Sequence, residues 1–381
     1  MDRKINIVSL RFYDYERSQF YTGGMERWIR DIAFLARDKG YDTTVYQKDI
    51  VSFDKQLGSG IRVIGVKCDP TWRSHWAFSR WLEQNTDLEA PFIYVSMELA
   101  LSRRIERAAG VQHGICWEGD FPLVKKWLNR RLQYELIKRL KGIICVDTIY
   151  INWCHAEYAN RAFWQHKMSY IPNYADPDIF KVMPKKQNSR DLPTILFPRR
   201  VNGTRNPGKL GMLDRDARGA GLFLKALEIL EREGTRVRAI FAGRGKLQAE
   251  IRDWAIKHGM SDRVIVTEVP LDQMPEMYAM ADVSVVPSLE REGTSLSAIE
   301  SIMCGIPTIV SHIGGLGNIV IDGVNGFVCD LTPESLAQCI YKALSVQRMP
   351  IGATLDAFRS SMGKPRWECQ VWKNLSNWLS L

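Results

Sequence analysis

The segment from Pro287 to Gly315 limits the fold of this chain more than any other part of the sequence. It follows an apolar run at Val283–Val286, which predicts a buried strand, and it continues through a polar loop into a helical repeat at Leu296–Cys304. Pro307 blocks continuation of the helix, and another apolar strand follows it. Strand, polar loop, helix and strand form the repeating unit of α/β proteins, whose ligands bind at the carboxyl ends of the strands.

Two carboxylates frame the polar loop. Glu292 precedes the loop and Glu300 lies on the predicted helix, with seven residues between them. A helix N-terminus favours a phosphate because its free N–H groups and partial positive charge face the anion. Carboxylates, in turn, accept hydrogen bonds from hydroxyl groups. A nucleotide sugar combines both chemistries. The bare pair also fits a helix cap and a solvated helix residue, since such spacing is common by chance.

The segment resembles the E-x7-E signature of the retaining GT-B glycosyltransferases called family 4. The matching positions are Pro287, Ser288, Glu292, Gly293, Leu296, Glu300, Gly305, Pro307, Gly314 and Gly315. The resemblance implies that Glu292 contacts the transferred sugar and that Glu300 contacts the nucleotide ribose. It also implies loop contacts to the sugar and phosphates from four consecutive residues, namely Gly293, Thr294, Ser295 and Leu296. The chain departs from the family at Leu316-Gly317-Asn318, where the family often has Pro-Glu.

Two arginines complete the donor site that the resemblance implies. In the family, an arginine and a Lys-Gly pair follow the first strand of the second domain and neutralise the donor diphosphate. These roles fall on Arg200 and Arg218. Arginine in place of lysine keeps the charge and binds phosphate through two N–H groups. The loop between them is longer than in the family, so other arginines compete for the same roles. The competing residues are Arg199, Arg205 and Arg215.

A glycine pair and a histidine are the candidate residues of the first half. Gly23 and Gly24 stand between a predicted strand at Ile5–Leu10 and a predicted helix at Trp28–Lys39. This arrangement is similar to the start of family 4 enzymes, in which the glycines let the backbone approach the donor diphosphate and the acceptor. His113 lies in a motif that resembles the family position where a histidine approaches the sugar, as a hydrogen-bond donor or a transient cation. A plain turn and a structural histidine are the alternatives.

The resemblance spans essentially the whole chain of 381 residues. It implies an α/β fold of the GT-B type, with two Rossmann-like domains facing across a cleft. The expected divisions are an acceptor-binding domain at 1–190, a nucleotide-sugar-binding domain at 191–358, and a C-terminal helix at 359–381 that packs back on the first domain.

The charge and one basic helix point to an anionic partner. The net charge is +9 and the pI is about 9.1, and the sequence has no nucleic-acid-binding signature. The segment from Phe121 to Gly142 predicts a basic amphipathic helix that contains tryptophan. Such a helix binds anionic membranes at their interface, although an apolar stripe that packs on its own domain gives a similar pattern.

The cysteines and the apolar runs suggest a cytoplasmic protein. The 8 cysteines are scattered without a C-x-x-C pair, so neither a zinc site nor a redox motif is indicated. No apolar run approaches the ~20 residues that cross a bilayer. We therefore expect a protein of the reducing cytoplasm, with peripheral contact at the inner face of the plasma membrane.

The resemblance to family 4 implies a retaining hexosyltransferase. The expected donor is a UDP- or GDP-linked sugar, and the expected acceptor is a glycan or a lipid-linked molecule in bacterial surface polysaccharide synthesis. No metal or other cofactor is required, because two arginines can neutralise the diphosphate. Two alternatives stay open: a nucleotide-sugar epimerase of the same fold, and a non-catalytic scaffold at a membrane surface.

Overall fold

The computed structural model describes residues 3–21, 23–69, 71, 73–115, 122–159, 162–184, 192–203, 211–214, 216–290 and 292–381. Contacts within the chain divide it into two compact units. Unit 1 comprises Met1–Ile171 and Glu368–Leu381, and unit 2 comprises Pro172–Trp367. In the described residues, no helix is both long and apolar enough to cross a membrane.

Unit 1 is built around a mostly parallel sheet. Its strands are β1 (Lys4–Ser9), β2 (Tyr13–Asp14), β3 (Gln19–Phe20), β4 (Asp42–Asp49), β5 (Phe53–Gln56), β6 (Ile61–Lys67), β7 (Phe92–Tyr94), β8 (Ala108–Gln112), β9 (Gly142–Cys145) and β10 (Met168–Tyr170). Its helices are α1 (Gly24–Asp38), α2 (Ser74–Asn85), α3 (Leu123–Arg139) and α4 (Ile149–Glu157). The sheet order is β10-β9-β8-β7-β1-β4-β6-β5, with only β5 antiparallel to its neighbour in the described part, while β2 and β3 pair separately.

Unit 2 has a parallel sheet with helices on both faces. Its strands are β11 (Thr194–Phe197), β12 (Arg238–Ala242), β13 (Val264–Thr267), β14 (Val283–Val286), β15 (Thr308–Ser311) and β16 (Phe327–Cys329). Its helices are α5 (Gly211–Asp214), α6 (Ala220–Arg232), α7 (Gln248–Lys257), α8 (Met274–Met280), α9 (Leu296–Met303), α10 (Pro333–Leu344) and α11 (Gly352–Met362). The last helix, α12 (Lys364–Leu379), begins in unit 2 and continues into unit 1.

The strand order of unit 2 explains where a ligand site can form. The order is β13-β12-β11-β14-β15-β16, so the chain direction of the winding reverses between β11 and β14. At such a reversal the loops from neighbouring strands diverge and leave a crevice at the carboxyl ends of the strands. Both units therefore have the Rossmann-like α/β architecture that the sequence predicts.

The strands at this reversal are buried on both faces. Along β11, Ile195 and Phe197 pack into the core on one side of the sheet, and Leu196 packs into the core on the other side. Phe197 also contacts Phe223 and Phe241, with ring centroids 6.0 and 5.1 Å away. Full burial of such a side chain contributes about 1.5–3 kcal/mol. The core therefore holds the strand ends that carry the loops of the site.

The division between the units differs from the expected boundary after residue 190. The chain from Pro172 onward already packs in unit 2: the amide of Asn173 donates to Thr294, and Phe180 lies in the core beside α8 and α9. Arg359 of α11 donates to the carbonyl oxygen of Pro177 at 2.6 Å. These hydrogen bonds hold the backbone after Pro172 within unit 2. The boundary between the units therefore lies before Pro172 and not after residue 190.

The C-terminal boundary also lies later than residue 359. Helix α11 packs on α9 within unit 2, and the part of the chain assigned to unit 1 begins at Glu368. In unit 1, Trp372 packs edge-on against Tyr41 with a centroid distance of 5.6 Å. Arg107 donates to the carbonyl oxygen of Leu379 at 3.1 Å. The end of the chain from Glu368 is thus part of the first unit.

Candidate functional site

The segments that follow β11 and β14 meet at the reversal in unit 2. These strands are parallel neighbours, with Ile195 opposite Val283. Beyond their carboxyl ends, the first strand leads to Arg199 and the second leads to Ser288 and Glu292. The order of the sheet therefore brings together residues that are about ninety positions apart in the sequence.

Glu292 is the centre of a buried ion-pair cluster. Its Oε2 accepts hydrogen bonds from Nη2 of Arg199 at 2.6 Å, from Oγ of Ser288 at 3.0 Å, and from Nη1 of Arg218. Nη1 of Arg199 donates to the Ser288 hydroxyl at 2.8 Å. We call these four residues the Glu292 cluster. In the described part of the chain its donors all reach Oε2, which leaves Oε1 to accept hydrogen bonds from a ligand.

The two arginines of the cluster differ in burial. The side chain of Arg199 is 6% exposed and that of Glu292 is 9% exposed, whereas that of Arg218 is 34% exposed. Burial raises the pKa of Glu292, but the charges of Arg199 and Arg218 outweigh it, so its pKa lies below the ordinary value. Glu292 is therefore an anion at neutral pH. Arg199 is a buried support, and Arg218 can reach solvent and a ligand.

Two glycines allow the close backbone packing around the cluster. Gly314 has a φ of +62°, and a Cβ there would lie 1.9 Å from the carbonyl oxygen of Glu292. The amide of Gly315 donates to that same oxygen at 2.7 Å. Gly219 has a φ of +84°, and a Cβ there would lie 1.9 Å from the carbonyl oxygen of Pro287. The Gly-Gly loop and the Arg-Gly loop thus fix the backbone on either side of Glu292.

The loop residues after Glu292 lie where the motif predicts, at the start of α9. Gly293 and Leu296 are half-buried, whereas Thr294 and Ser295 are buried. The hydroxyl of Thr294 accepts a hydrogen bond from the amide of Asn173 at 2.9 Å, and its carbonyl oxygen accepts one from the Asn173 side chain at 2.7 Å. The threonine therefore joins the loop to the chain at the start of unit 2. Direct ligand contacts from these residues stay predictions.

Glu300 is buried on α9 and does not belong to the Glu292 cluster. Its Oε2 accepts a hydrogen bond from the hydroxyl of Tyr278 at 3.1 Å. The carbonyl oxygen of Ser297, 3.2 Å from the same hydroxyl, shares its single hydrogen with the carboxylate. Tyr278 is fully buried in α8, so it fixes the position of the carboxylate. No sequence motif indicated this tyrosine, which stands in a short helix.

The structure describes two of the four other arginine candidates, Arg199 and Arg200. Arg199, which the sequence treats as a competitor of Arg200, makes the contact with Glu292. Arg200 is half-buried beside it, and its predicted contact with a diphosphate stays a prediction. Arg205 and Arg215 lie outside the described residues. Ser288 matches the family motif, and its place just beyond the carboxyl end of β14 is where ligand-binding residues of α/β sheets lie.

In unit 1, the glycine pair lies at the start of α1. Gly23 is the N-cap residue with extended backbone, and Gly24 is the first residue of the helix. The first turn also holds the buried carboxylate of Glu26, which accepts a hydrogen bond from Nε of Arg11 at 2.9 Å. The predicted approach of a diphosphate to the glycines would therefore meet the Arg11–Glu26 ion pair at the first turn of α1.

His113 follows β8 at the carboxyl edge of the sheet of unit 1. Its ring contacts Trp28 edge-on, with a centroid distance of 6.2 Å. Burial lowers the pKa of His113 to about 4, so the ring is neutral at neutral pH and a hydrogen-bonding role fits better than a cationic one. Its Nε2 and the Oδ2 of Asp147, which follows the neighbouring strand β9, are buried without partners among the described residues. The sequence did not indicate Asp147.

In the described ranges, no group of three or more His, Cys, Asp or Glu side chains could hold a metal ion. The metal-independent scheme nevertheless stays a prediction.

Comparison with protein families places part of the chain directly. Residues 209–352 match the family model described as "Glycosyl transferases group 1". The matched range contains Arg218, Glu292 and Glu300, and therefore most of the site built above.

Two relatives and one solved structure extend the comparison. The GDP-mannose-dependent alpha-(1-6)-phosphatidylinositol monomannoside mannosyltransferase of Mycolicibacterium smegmatis is 29% identical over 334 residues, which are 81% of this chain and 82% of that protein. An uncharacterized glycosyltransferase of Methanocaldococcus jannaschii is 31% identical over 108 residues, 28% of this chain and only 30% of that protein. HepE of Anabaena, solved in complex with UDP, has a TM-score of 0.73 at 18% identity, over 98% of this chain and 100% of that chain.

The structural likeness covers both units, and the family match covers the unit that contains the Glu292 cluster. The alignment with the archaeal relative spans under a third of that protein, whereas the alignment with the mannosyltransferase spans most of it. Together, these findings show that residues 209–352 are similar to the group 1 glycosyl transferases and that the chain has the GT-B fold.

Proposed function

We propose that this protein transfers a sugar from a nucleotide-diphosphate sugar to an acceptor hydroxyl, with retention of the anomeric configuration. The observation that carries the proposal is the Glu292 cluster, a buried anion held by two arginines at the reversal point of a parallel sheet. The relatives support the donor class, since one is a GDP-mannose-dependent mannosyltransferase and HepE is solved with UDP-glucose. We therefore propose a UDP- or GDP-linked hexose.

The cluster suggests separate tasks for its members. Oε1 of Glu292 accepts hydrogen bonds from hydroxyl groups of the sugar, while Arg199 holds Oε2. Arg218 is exposed enough to turn towards a diphosphate, and Arg200 and the N-terminus of α9 add positive potential. Glu300, positioned by Tyr278, accepts the ribose hydroxyls. These contacts hold the sugar and its leaving group in one orientation, which lowers the entropic part of the barrier.

The proposed reaction proceeds on one face of the sugar. The bond between the anomeric carbon and the phosphate oxygen breaks, and its electron pair goes to the phosphate. The acceptor oxygen bonds to the anomeric carbon from the same face, and its proton passes to the leaving phosphate oxygen. Glu292 is already bound to two arginines, so we assign it to orientation and to stabilisation of the positive charge that develops on the sugar.

The test is release of nucleotide from a panel of UDP- and GDP-hexoses, with wild-type protein and with Glu292→Ala. The matched control is Glu290→Ala, because this carboxylate is exposed two positions away. We expect release with one donor, loss of more than about a hundredfold in Glu292→Ala, and no change in Glu290→Ala. Wild-type rates in the Glu292 variant would refute the site.

The same assay separates the alternative functions. A transferase makes a product that contains the acceptor, and its release of nucleotide rises when the acceptor is added. An epimerase would convert or release the donor without any acceptor. A scaffold would show no turnover with any donor and no change in thermal stability with nucleotides.

We also propose that the protein acts at the cytoplasmic face of the membrane, on a lipid-linked or glycan acceptor of surface polysaccharide synthesis. The net charge of +9 and the exposed apolar side chains of α3 support this location. The test is co-sedimentation with anionic vesicles, which should weaken as salt rises because the attraction is electrostatic. No binding at low salt would exclude the membrane contact.

A further inference from the structure

The two halves of α3 have opposite environments. In the second half, Leu136 and Ile137 are fully buried in the core of unit 1. In the first half, four large apolar side chains are between 53% and 83% exposed, which is unusual for residues of this size. These residues, which we call the apolar row, are Leu123, Val124, Trp127 and Leu128. The helix is therefore anchored at one end and presents an apolar surface at the other.

A pocket of about 340 Å³ lies between α3 and α4 beside the apolar row. Leu123 and Trp127 belong to both the pocket and the row. The remaining pocket wall is mostly cationic and aromatic, and it includes Lys126, Arg130, Arg131, Tyr134 and Glu157. We call this feature the α3 pocket. Its three cations are opposed by Glu157 in the wall and by Glu135 beside it, and the remaining positive charge attracts an anion.

The cations of the α3 pocket are arranged to receive that anion. Arg130 pairs with Glu157 at 3.2 Å, and Arg131 pairs with Glu135 at 3.1 Å. The Arg131 guanidinium also lies over the Tyr134 ring, 5.5 Å from its centroid. These contacts hold the two guanidinium groups in place. Lys126 is half-buried and has no carboxylate partner within the described residues, so its charge is the one that a bound anion would neutralise.

We propose that the α3 pocket binds the phosphate-bearing headgroup of an anionic membrane lipid, while the apolar row lies against its acyl chains. A phosphate offers acceptor oxygens to Lys126 and to both arginines at once. Tryptophan and tyrosine favour the depth at which headgroup and acyl chain meet. The inference rests on the proposed membrane contact and does not depend on the transfer reaction.

The experiment compares two neighbouring lysines on the same helix. Lys126→Gln removes a charge from the α3 pocket, whereas Lys125→Gln removes an exposed charge outside it. Binding is measured by co-sedimentation with phosphatidylcholine vesicles that contain about 30% phosphatidylglycerol, at fixed salt. Removal of a lysine that only feels the negative surface potential of the vesicle should change the partition constant about fivefold, which corresponds to ~1 kcal/mol. We expect at least a tenfold greater loss for Lys126→Gln than for Lys125→Gln.

A second comparison tests the phosphate itself. Vesicles in which cholesteryl hemisuccinate supplies the same surface charge carry carboxylates instead of phosphates. We expect wild-type protein to bind these vesicles at least tenfold more weakly than the phosphatidylglycerol vesicles. Lys126→Gln should lose the preference for phosphate vesicles. Val124→Asp in the apolar row should weaken binding to both kinds of vesicle but retain that preference. Equal losses in the two lysine variants, or no preference in wild type, would overturn the pocket.

Two further outcomes separate this inference from the others. Absence of wild-type binding to any anionic vesicle would overturn the membrane contact as well. Displacement of the vesicles by submillimolar glycerol 3-phosphate would assign the α3 pocket to a soluble phosphate ester and would overturn the lipid assignment. Nucleotide release in solution, without vesicles, reports the transfer site independently of all these results.

Discussion

Replacement of Arg199 by methionine removes the buried cation that holds Glu292 and keeps a long side chain in its place. The partners of Glu292 would then be Ser288 and Arg218. The Arg218 side chain is 34% exposed, so solvent weakens its attraction to the carboxylate. Removal of one partner from a buried ion pair costs about 3–5 kcal/mol of unfolding free energy, because the other charge stays buried. We expect Arg199→Met to lose stability in this range and to lower kcat/KM about a hundredfold through misplacement of Glu292.

The pH dependence of this loss follows from the carboxylate. In the wild type, the pKa of Glu292 is lowered because its two arginine partners outweigh its burial. A lowered pKa stabilises the fold above the unfolded-state pKa, and this contribution disappears as the pH falls through the folded-state pKa. Without Arg199, burial is less opposed and the pKa of Glu292 rises. The difference in stability between wild type and variant should therefore be largest near neutral pH and should shrink on acidification.

Thermal and denaturant unfolding from about pH 7.5 to about pH 4 measures this difference. Arg236→Met is the charge-matched control, because Arg236 is 60% exposed in the same unit and should change stability by less than about 0.5 kcal/mol. In the Glu292→Gln background, Arg199→Met should cost much less stability, since no charge is left stranded. An equal cost in both backgrounds, or a difference that grows on acidification, would refute the reasoning.

The other predictions concern the loop, the second carboxylate and the histidine. Gly314→Ala should cost at least about 2 kcal/mol of stability, because a Cβ there would lie 1.9 Å from a carbonyl oxygen at positive φ; Gly317→Ala, with open space around it, should be neutral in the same melts. Tyr278→Phe removes a hydrogen bond to Glu300 and should raise the KM for the donor about two- to tenfold with little change in kcat; equal KM values would contradict the positioning role. Burial lowers the pKa of His113 to about 4, so the ring should not titrate between about pH 6 and 8. The pH–rate profiles of the wild type and of His113→Gln should therefore have the same shape in this range. A step in the wild type that is missing in the variant would show that the ring titrates in the working range.

The sequence predicts the local elements around Glu292 because apolar runs and helix breakers alternate there. The strand at Val283–Val286 and the helix from Leu296 form as expected, and Gly314 has a φ of +62° against the backbone of Glu292. The boundary between the units was less predictable. The polar stretch near residue 190 looks like a linker, but the unit begins at Pro172 because backbone hydrogen bonds outweigh composition there.

The environment of α3 shows a second limit of pattern reading. Its apolar and basic residues are interleaved along the whole helix, so the sequence left both core packing and membrane contact open. In the fold, the two halves differ: Leu136 and Ile137 are buried in the core, whereas the range from Leu123 to Leu128 contains the exposed apolar row on which the proposed membrane contact rests. A periodicity test averages over the helix length and does not detect a change of environment along its axis.

The choice between Arg199 and Arg200 could not be made from the sequence for a geometric reason. The two arginines are adjacent in the segment that follows the carboxyl end of β11, so their positions in the sequence do not distinguish them. Only the position of the neighbouring strand β14, which carries Ser288 and Glu292 beyond its end, decides which of the two reaches the carboxylate. Strand order is a long-range property, so the sequence predicts that a basic residue is needed here, whereas the fold selects Arg199 as the buried partner of Glu292.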